Sequence, residues 1–484
     1  MKRLFGADGI RGKIDQYPFR TEDQIRLGQS LADWWLDRAS KPILLIGTDT
    51  RESNQRIKAA LVDGITKAGI EVWDMGILPT SALSFLIAKN PDLAGGVMIS
   101  ASHNPIFENG IKVFDHRGMK ISDLEEDEIE DLFFSDGSKL EQKSQTATIR
   151  PTTKLLEQYT QFMVDQFEDL HYTHKVLVDC ANGASYRTAQ AVLGKLGIHH
   201  SIHNIIPDGT NINFRVGSEY VRKYPRELAS ELHKSGGLLG VAFDGDADRA
   251  VFVDREGLFY DGDMLLSIAA QFLQDKGLLT NKRVVTTQMS NSGLKEHLEN
   301  RGIQTHQVRN GDKYITDVLV SDDLSLGGEQ IGHLIFHTDP WNVTGDGLRT
   351  FLWMLKALSQ ASDATLHDLM YGMRKWPQIN VSVKLGERMH SKFDLIPGLD
   401  ESCEQVRSEI PDLSRFECRP ASTEPTYRIM LEAKDTPIPV LVEQALRLAH
   451  HVQKHYGRLG EPVEVLDCVT GGRISPNTSS GFPG

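Results

Sequence analysis

The sequence has little of what marks a secreted, membrane or nucleic-acid-binding protein. Its 484 residues include four widely scattered cysteines, which predict neither a disulfide framework nor a zinc site. It contains no uninterrupted apolar run of about 18 residues, so no membrane span is expected. The first residues contain no apolar segment typical of a signal peptide. A net charge of −13 argues against nucleic acid or an anionic membrane as the main partner, so we expect a soluble cytoplasmic protein.

One supersecondary pattern recurs along the chain. β-Branched apolar runs precede polar turns at 42–51, 175–184 and 283–293, and helix-like segments follow at 54–68, 185–196 and 293–301. Such units are typical of parallel sheets covered on both faces. They predict α/β domains at 1–150, 151–255 and 256–373. The alternating pattern at 372–385 predicts a different domain at 374–458, and the Gly/Ser/Pro-rich end predicts a tail at 459–484.

The most specific motif is VAFDGDADRAVFVD, in which two apolar strands enclose Asp244, Asp246 and Asp248. Three carboxylates at alternate positions repel one another unless a cation lies between them. An all-oxygen set favours a hard ion such as Mg²⁺. The segment is not an EF-hand, because arginines stand where that loop needs Gly and Glu. A solvated acidic turn is the alternative interpretation.

A second motif, ISASHNP, ends an apolar strand abruptly in small polar residues. Serine is a poor nucleophile unless it is activated. A metal near Ser102, with His103 and Lys112 as donors, suits phosphoryl transfer, in which charge on phosphate oxygens must be neutralised. The motif alone is equally consistent with a polar turn that closes a strand. The carboxylate loop favours the catalytic interpretation.

Two further motifs offer substrate contacts. In GGEQIGH, Glu329 is suited to accept hydrogen bonds from vicinal hydroxyls, and His333 to shuttle a proton or hold a substrate oxygen. A lone histidine is, however, more often structural. In CRPASTEPTYR, hydroxyl and guanidinium groups predict a phosphate cradle, although a surface turn with snorkelling arginines fits equally well. The cradle would use Arg419, Ser422, Thr423 and Arg428.

In this order the motifs resemble those of the α-D-phosphohexomutase superfamily, most closely its phosphoglucosamine mutase branch. The matching segments span nearly the whole chain: FGADGIRG, GTDTR, ISASHNP, NGIK, PDGTNIN, FDGDADR, GGEQIGH and STEPTYR. GGEQ and PDGTNIN look like the glucosamine branch rather than the phosphomannomutase/phosphoglucomutase branch. The resemblance implies three similar α/β domains with mixed sheets, plus a smaller α+β C-terminal domain, around a central cleft.

The resemblance also implies the chemistry. Ser102 would work as a phosphoserine that interconverts glucosamine 6-phosphate and glucosamine 1-phosphate through a bisphosphorylated sugar, for amino-sugar and cell-wall precursor synthesis. One Mg²⁺ per subunit would be held by the Ser102 phosphate and the three aspartates, with a hexose or hexosamine 1,6-bisphosphate as activator. His103, Arg11 and Lys112 would act on the transferring group, with Lys112 a candidate acid/base. The implied substrate-binding residues are Arg249, Arg309, Glu329, His333, Arg419, Ser422, Thr423 and Arg428.

Other outcomes stay open at this point. The alternatives are a phosphoglucomutase/phosphomannomutase, a non-catalytic sugar-phosphate binder and a phosphatase, and the chain is expected to be a monomer or homodimer. Three recognition segments depart from the family pattern: Ala7 replaces Thr, Ile331 replaces Ser, and Ala421-Ser422 replaces Ser-Gly. We therefore expect transfer chemistry to survive while affinity or sugar choice has drifted.

Overall fold

The chain folds into two compact units. The computed structural model describes residues 4–6, 8–135, 148–361, 364–386, 396–421, 425–458 and 461–475. One unit comprises Met1–Ser290 and Leu298–Tyr371, and the other comprises Asn291–His297 and Gly372–Gly484. The first unit contains three mixed sheets and the second contains an antiparallel sheet.

The first sheet has a parallel centre and an antiparallel edge, in the order β1-β5-β4-β2-β3-β6. Its strands are β1 (Ile10–Lys13), β2 (Ile43–Thr48), β3 (Glu71–Ile77), β4 (Gly95–Ile99), β5 (Glu108–Asp115) and β6 (Ile149–Pro151). Its helices are α1 (Thr21–Leu36), α2 (Asn54–Lys67), α3 (Thr80–Lys89) and α4 (Asp123–Phe134). Because β4 is buried along its whole length, it needs apolar residues on both faces, as its sequence provides.

The second sheet has the order β11-β10-β9-β7-β8 and repeats this plan. Its strands are β7 (Val176–Asp179), β8 (His200–His203), β9 (Leu239–Phe243), β10 (Ala250–Asp254) and β11 (Phe259–Tyr260). The helices of this region are α5 (Leu156–Gln166), α6 (Tyr186–Lys195), α7 (Ser218–Lys223) and α8 (Pro225–Ser235), after a 3₁₀ turn at Thr153–Leu155. Pro225 at the start of α8 and left-handed Gly236 after its end define that helix sharply.

The third sheet is smaller, with the order β13-β12-β14-β15. Its strands are β12 (Arg283–Thr287), β13 (Gln304–Val308), β14 (Leu326–Gly328) and β15 (Leu334–Phe336). The helices are α9 (Gly262–Asp275), α10 (Ser292–Glu299), α11 (Asp312–Ser321), α12 (Gly347–Ser359) and α13 (Leu366–Leu369), with a 3₁₀ turn at Thr280–Lys282.

The three sheets place one loop in an equivalent position. In each, a strand of the parallel centre turns into an antiparallel partner: β4 into β5, β9 into β10, and β14 into β15. These turns carry the serine loop, the carboxylate loop and the GGEQIGH loop, respectively. The tandem repetition predicted from the sequence is therefore confirmed, and it extends to the loops that bear the chemistry.

The second unit is built on an antiparallel sheet of the order β17-β18-β16-β19-β20. Its strands are β16 (Gln378–Lys384), β17 (Leu413–Pro420), β18 (Thr426–Ala433), β19 (Glu464–Asp467) and β20 (Arg473–Ile474), and its helices are α14 (Leu399–Glu409) and α15 (Ile438–Tyr456). Apolar residues of α15, among them Leu441 and Leu448, pack against the sheet in one core. The predicted change to a different C-terminal domain is confirmed.

The predicted helices agree closely with α2, α6 and α10. The predicted domain boundaries stay predictions. Strand β6 straddles the boundary proposed at 150, and β11 lies just beyond the one proposed at 255. Strands β19 and β20 lie within the segment predicted as a tail at 459–484 and pair in the C-terminal sheet. Within the described residues, no helix is both long and apolar enough to cross a membrane.

Candidate active site

The serine loop follows β4 and places Ser102 in an unusual backbone conformation. Ser102 is buried and has a φ of 53°, in the left-handed region that residues with a side chain rarely adopt. Its Oγ donates a hydrogen bond to Asp244 Oδ2 at 2.5 Å and lies 3.2 Å from His103 Nδ1. The hydroxyl and the carboxylate loop, 142 residues apart in sequence, therefore meet.

The carboxylate loop joins β9 to β10 and buries all three of its aspartates. Asp244, Asp246 and Asp248 each offer an oxygen, and these oxygens lie within 4.8 Å of one another. Gly245 is required for the close approach to the serine loop, because a Cβ there would lie only 2.4 Å from the Ser102 carbonyl oxygen. The carboxylate loop thus lies directly against the serine.

The donor set fits a hard divalent cation. Among the described residues, Asp246 Oδ1 and Asp248 Oδ1 are buried oxygens without a hydrogen-bond donor. Burial and then the charges of Asp248 and Asp246 raise the pKa of Asp244 well above its usual range. Uncompensated buried carboxylate oxygens are costly, and a cation held between them removes that cost.

Lys112, on β5, donates hydrogen bonds to Asp246 Oδ2 at 2.8 Å and Asp248 Oδ2 at 2.7 Å. Its burial opposes the charged form, but Asp246, Asp248 and Asp8 together raise its pKa well above the usual range. In this arrangement Lys112 is a charged hydrogen-bond donor. It is suited to neutralise developing negative charge, and its raised pKa makes it a weak proton donor.

His103 is a neutral ring in this arrangement. Burial, followed by the charges of Arg249 and Arg11, lowers its pKa to about 3. The Arg249 guanidinium donates to His103 Nδ1 at 2.9 Å, which leaves the ring proton on Nε2. His103 therefore presents an unprotonated Nδ1 to Arg249 beside Ser102 Oγ and carries no charge itself.

Arg11, on β1, also reaches the serine loop. Its guanidinium donates to the Ala101 carbonyl oxygen and, at 2.5 Å, to Asp8 Oδ2. The Asp8 carboxylate in turn binds Lys120. The structure thus brings Arg11, His103, Lys112 and Arg249 together around Ser102, although their catalytic roles stay predictions.

A cavity of about 200 Å³ adjoins the carboxylate loop. Its lining comes from all three α/β domains: Asp8, Lys120, Asp248, Arg249, Asn310, Gly311, Asp312, Glu329 and His333. Burial raises the pKa of Glu329, and the Gly311 N–H donates to Glu329 Oε1 at 3.1 Å. A pocket lined by carboxylates and cations at such a position suits a polyhydroxylated, phosphorylated ligand.

His333 is fixed by three neighbours. The Gly345 N–H donates to Nε2 at 3.0 Å, while Asp312 lies 3.3 Å from Nε2 and Asp248 lies 3.7 Å from Nδ1. Burial opposes the charged ring, but Asp248 and then Asp312 outweigh it and raise the pKa of His333 to about 10. The Gly345 bond needs a lone pair on Nε2, which an imidazolium lacks. The contacts therefore define the orientation of the ring, whereas they favour different charge states of it.

Sequence reasoning missed three charged residues of this cavity, Asp8, Lys120 and Asp312. Lys120 binds both Asp8 and, at 2.6 Å, Asp312. The charges of Asp312 and Asp8 overcome burial and raise the pKa of Lys120. Asp8 could have been identified from the sequence, because it belongs to the recognised FGADGIRG segment. Lys120 and Asp312 stand in no recognised motif, and only folding brings them together.

Some predicted residues lie elsewhere or outside the described chain. The Arg309 guanidinium donates to Asp123 Oδ2 at 3.0 Å and lies 4.0 Å from the ring centre of Tyr314. Arg419 and Arg428 are exposed and face each other across β17 and β18. Ser422 and Thr423 lie outside the described residues, as do Ala7 and residues 476–484 of the predicted tail.

Comparisons with known proteins agree with this architecture. The chain matches the domain family phosphoglucomutase/phosphomannomutase, alpha/beta/alpha domain I, over residues 2–139, domain II over 156–257 and domain III over 261–375. A phosphoglucosamine mutase of Clostridium acetobutylicum is 38% identical, covering 90% of this chain and 96% of that protein. One of Desulforudis audaxviator is 37% identical, covering 94% and 99%.

Solved structures share the fold at lower identity. A phosphoglucomutase/phosphomannomutase family protein of Burkholderia thailandensis has a TM-score of 0.75 at 20% identity, covering 95% of this chain and 99% of that one. Aspergillus fumigatus N-acetylphosphoglucosamine mutase, solved with GlcNAc-6P and magnesium, has a TM-score of 0.61 at 17% identity, covering 93% and 95%. A serine-to-alanine variant of that enzyme, solved with glucose 1,6-bisphosphate, has a TM-score of 0.59 at 19% identity, covering 90% and 99%.

Fold, site and relatives together define an intramolecular phosphotransferase of the isomerase class, which moves a phosphoryl group between positions of a sugar. Within that class, the chain belongs to the phosphoglucomutase/phosphomannomutase family, and the relatives named above place it with the phosphoglucosamine mutases.

Proposed function

We propose that this chain interconverts glucosamine 6-phosphate and glucosamine 1-phosphate, the phosphoglucosamine mutase reaction. The observation that carries the proposal is the contact between Ser102 Oγ and Asp244 beside the other two buried aspartates. That contact places a nucleophile beside a proposed cation site. The choice of glucosamine phosphate as substrate rests on the relatives at 37–38% identity, which are phosphoglucosamine mutases. The predicted cytoplasmic location and monomeric or homodimeric state stay predictions.

In the proposed reaction, Ser102 carries the phosphoryl group. The bond between phosphorus and Ser102 Oγ breaks as a bond forms to the free sugar hydroxyl, and the proton of that hydroxyl is finally taken up by Ser102 Oγ. The resulting bisphosphate then returns its other phosphoryl group to Ser102. Arg11, Lys112 and Arg249 are the proposed cations around the transferring group, where charge on the phosphate oxygens is greatest.

The proposed metal is one Mg²⁺, held by Asp244, Asp246, Asp248 and a phosphate oxygen on Ser102. When bound, it would neutralise charge on the phosphoryl group. Asp246 Oδ1 and Asp248 Oδ1, which accept no hydrogen bond from the described residues, support this assignment. A hexose or hexosamine 1,6-bisphosphate is the proposed activator, because it can load Ser102 with phosphate.

Substrate recognition is proposed for the cavity. Glu329 would accept hydrogen bonds from sugar hydroxyls, since its carboxylate lines the cavity and is oriented by the Gly311 N–H. His333 would present a fixed ring edge to the sugar. Arg309 is the least supported member of the predicted set, because its guanidinium is bound to Asp123.

A second candidate within the family is a phosphoglucomutase/phosphomannomutase. Ile331 favours it, because this apolar side chain is 40% exposed in the loop that presents Glu329, where the resemblance leads us to expect a hydroxyl. Losing a polar contact there weakens selection for one particular sugar. The two candidates differ in substrate alone and share the chemistry at Ser102.

The function is tested by side-by-side kinetics with glucosamine 6-phosphate, glucose 6-phosphate and mannose 6-phosphate, each with a trace of the matching bisphosphate. We expect kcat/KM for the glucosamine substrate to exceed the others by at least about tenfold. A tenfold preference for glucose or mannose phosphate would reject the assignment in favour of the second candidate. Release of free phosphate without isomerised product would instead identify a phosphatase.

The C-terminal arginines are proposed to bind the phosphate that is not reacting. Arg419 and Arg428 are directly opposite each other on antiparallel strands, an arrangement that is destabilising for like charges. Glu417 neutralises Arg419 in part, at 3.1 Å. Two exposed guanidinium groups on one face of the sheet are suited to bind a phosphate, which supports a phosphate site at this end of the sheet.

Replacing both arginines in an Arg419→Gln/Arg428→Gln variant is expected to raise KM about tenfold or more with little change in kcat. The ground-state phosphate contact is lost, while the chemistry at Ser102 is untouched. Initial-rate kinetics measure the effect, with Arg407→Gln on the exposed side of α14 as the matched control. A KM equal to that of the control would exclude the phosphate site.

A further inference from the structure

Two segments recognised in the sequence have no role in the reaction as described so far. These are GTDTR, which ends β2, and PDGTNIN, which lies between β8 and α7. Both reach the backbone of the serine loop, one from the first α/β domain and one from the second. We propose that Arg51 and Asn213, from these segments, are positioning residues that hold Ser102 in the left-handed conformation directing its Oγ at Asp244.

All three guanidinium nitrogens of Arg51 donate hydrogen bonds, either to the serine loop or to Asp49 beside it. One terminal nitrogen donates to the carbonyl oxygens of Ser102 at 3.1 Å and Asn104 at 2.7 Å. The other donates to those of Pro105 at 2.7 Å and Glu108 at 3.1 Å. Because Nε donates to a carboxylate, as described next, every N–H group of the guanidinium is satisfied. Four carbonyl oxygens of one loop are thus held by a single planar group.

Asp49 connects Arg51 to the amide of the serine. Arg51 Nε donates to Asp49 Oδ2 at 3.0 Å, and the two side chains are fully buried. Ser100 Oγ donates to the same carboxylate oxygen at 2.7 Å and accepts the Ser102 N–H at 2.9 Å. Both backbone polar groups of Ser102, its carbonyl and its amide, are therefore tied to this buried ion pair.

Asn213 holds the same carbonyl from the second domain. Its Nδ2 donates to the Ser102 oxygen at 2.8 Å, and its own backbone N–H donates to the Ala181 carbonyl at 3.0 Å. The two domains are joined nearby by Thr50 Oγ1, which donates to the Asn182 carbonyl at 2.6 Å. The conformation of Ser102 thus depends on the docking of the two domains that supply the nucleophile and the carboxylates.

A left-handed serine needs such support. Without a glycine at this position, the backbone at φ 53° lies above its preferred conformations in energy, and surrounding contacts must hold it there. If the backbone relaxes, Oγ turns away from Asp244, and transfer slows although substrate binding is unchanged. The expected signature is therefore a fall in kcat with KM preserved.

Asn213→Gly is the variant that isolates this effect. Asn213 itself has a φ of 58°, which glycine adopts freely, so the substitution removes the amide donor without straining the backbone. Asn281→Gly is the matched control, because Asn281 has a φ of 52° and is exposed in the 3₁₀ turn before β12. Asn213→Asp should slow transfer further, since a carboxylate there repels the Ser102 carbonyl oxygen instead of donating to it.

This inference rests on the proposed use of Ser102 as phosphoryl carrier, and its readout compares all variants with the same bisphosphate. The measurement is the single-turnover rate at which the full-length protein takes up phosphate from glucose 1,6-bisphosphate, followed by intact mass. We expect Asn213→Gly to be slower than Asn281→Gly by about tenfold, equivalent to ~1.4 kcal/mol, and Asn213→Asp to be slower still. Steady-state KM and the thermal unfolding midpoint should match the control.

Arg51→Lys provides a second variant. Lysine keeps the charge beside Asp49 but cannot reproduce the planar fork, so uptake should fall at least as far as in Asn213→Gly. If this buried substitution unfolds the chain, the comparison of Asn213→Gly with Asn281→Gly alone tests the inference. Equal uptake by Asn213→Gly and Asn281→Gly overturns the inference, as does a wild-type protein that takes up no phosphate. Normal uptake without glucosamine phosphate turnover rejects the proposed substrate alone.

Discussion

Replacing Ser102 with alanine is expected to abolish mutase turnover, by at least about a thousandfold, and to leave the protein without covalent phosphate. The Ser102 hydroxyl donates to Asp244 Oδ2 at 2.5 Å, beside a set of carboxylates suited to a cation that neutralises phosphate charge. Alanine removes the atom that carries the phosphoryl group and leaves the carboxylates in place. Coupled kinetics and intact mass after incubation with a 1,6-bisphosphate measure the two effects.

The control for this prediction is a second hydroxyl at the same carboxylates. Thr80 Oγ1 donates to Asp246 Oδ2 at 2.5 Å and is as buried as Ser102. Thr80→Val removes that hydroxyl with nearly the same side-chain shape, and it should still take up one phosphate. If phosphate persisted in Ser102→Ala and disappeared in Thr80→Val, the nucleophile would be the threonine and the serine assignment would be wrong.

The fold followed from the sequence wherever periodicity is local. Apolar runs that precede polar turns and helices indicated the units that begin with β2, β7 and β12, because parallel strands buried on both faces need such runs. The antiparallel turns that carry the chemistry were not recognised as equivalent across the sheets. Their loops differ in length and composition, so only strand pairing reveals that they occupy one topological position.

The candidate site was predicted where a motif carries its own chemistry. Three alternating aspartates and a serine at a strand end are unusual enough to be noticed singly, and the fold brings them together. Arg51 belongs to the recognised GTDTR segment, but its role was missed because the motif does not show that its guanidinium binds carbonyl oxygens. Its partners lie 51–57 positions away and become neighbours only when the serine loop packs against it.

Arg309 was predicted from the resemblance, but its contacts in the structure are different. The resemblance assigned it to substrate, whereas in the structure its guanidinium pairs with Asp123 at the start of α4. Lys313 joins the same carboxylate at 2.5 Å and also donates to Glu126 at 2.8 Å. These ion pairs link the first and third α/β domains. A family motif fixes the position of a residue in the chain, while the local charges decide which carboxylate it binds.

Removing one carboxylate from the aspartate cluster is the other change expected to have a large effect. Asp246→Asn should weaken Mg²⁺ binding by more than about a hundredfold, because losing a direct ligand exceeds the cost of losing a supporting contact. The substitution also removes a charge that faces the Lys112 ammonium at 2.8 Å. Calorimetric titration of the protein with Mg²⁺ in the absence of sugar measures the affinity directly, and turnover should fall in parallel.

Asp254→Asn is the matched control for that experiment. Asp254 ends β10, the strand that follows the aspartate loop, and accepts hydrogen bonds from the Leu258 N–H and the Tyr260 hydroxyl, each at 2.8 Å. Since it contributes no oxygen to the cluster, its amide variant should bind Mg²⁺ as the unmodified protein does. Equal Mg²⁺ affinities for Asp246→Asn and Asp254→Asn would show that the three aspartates do not hold the ion. If Mg²⁺ affinity falls only in Asp246→Asn, the cation lies among the three aspartates. The two substitutions make the same chemical change, one before β10 and one at its end.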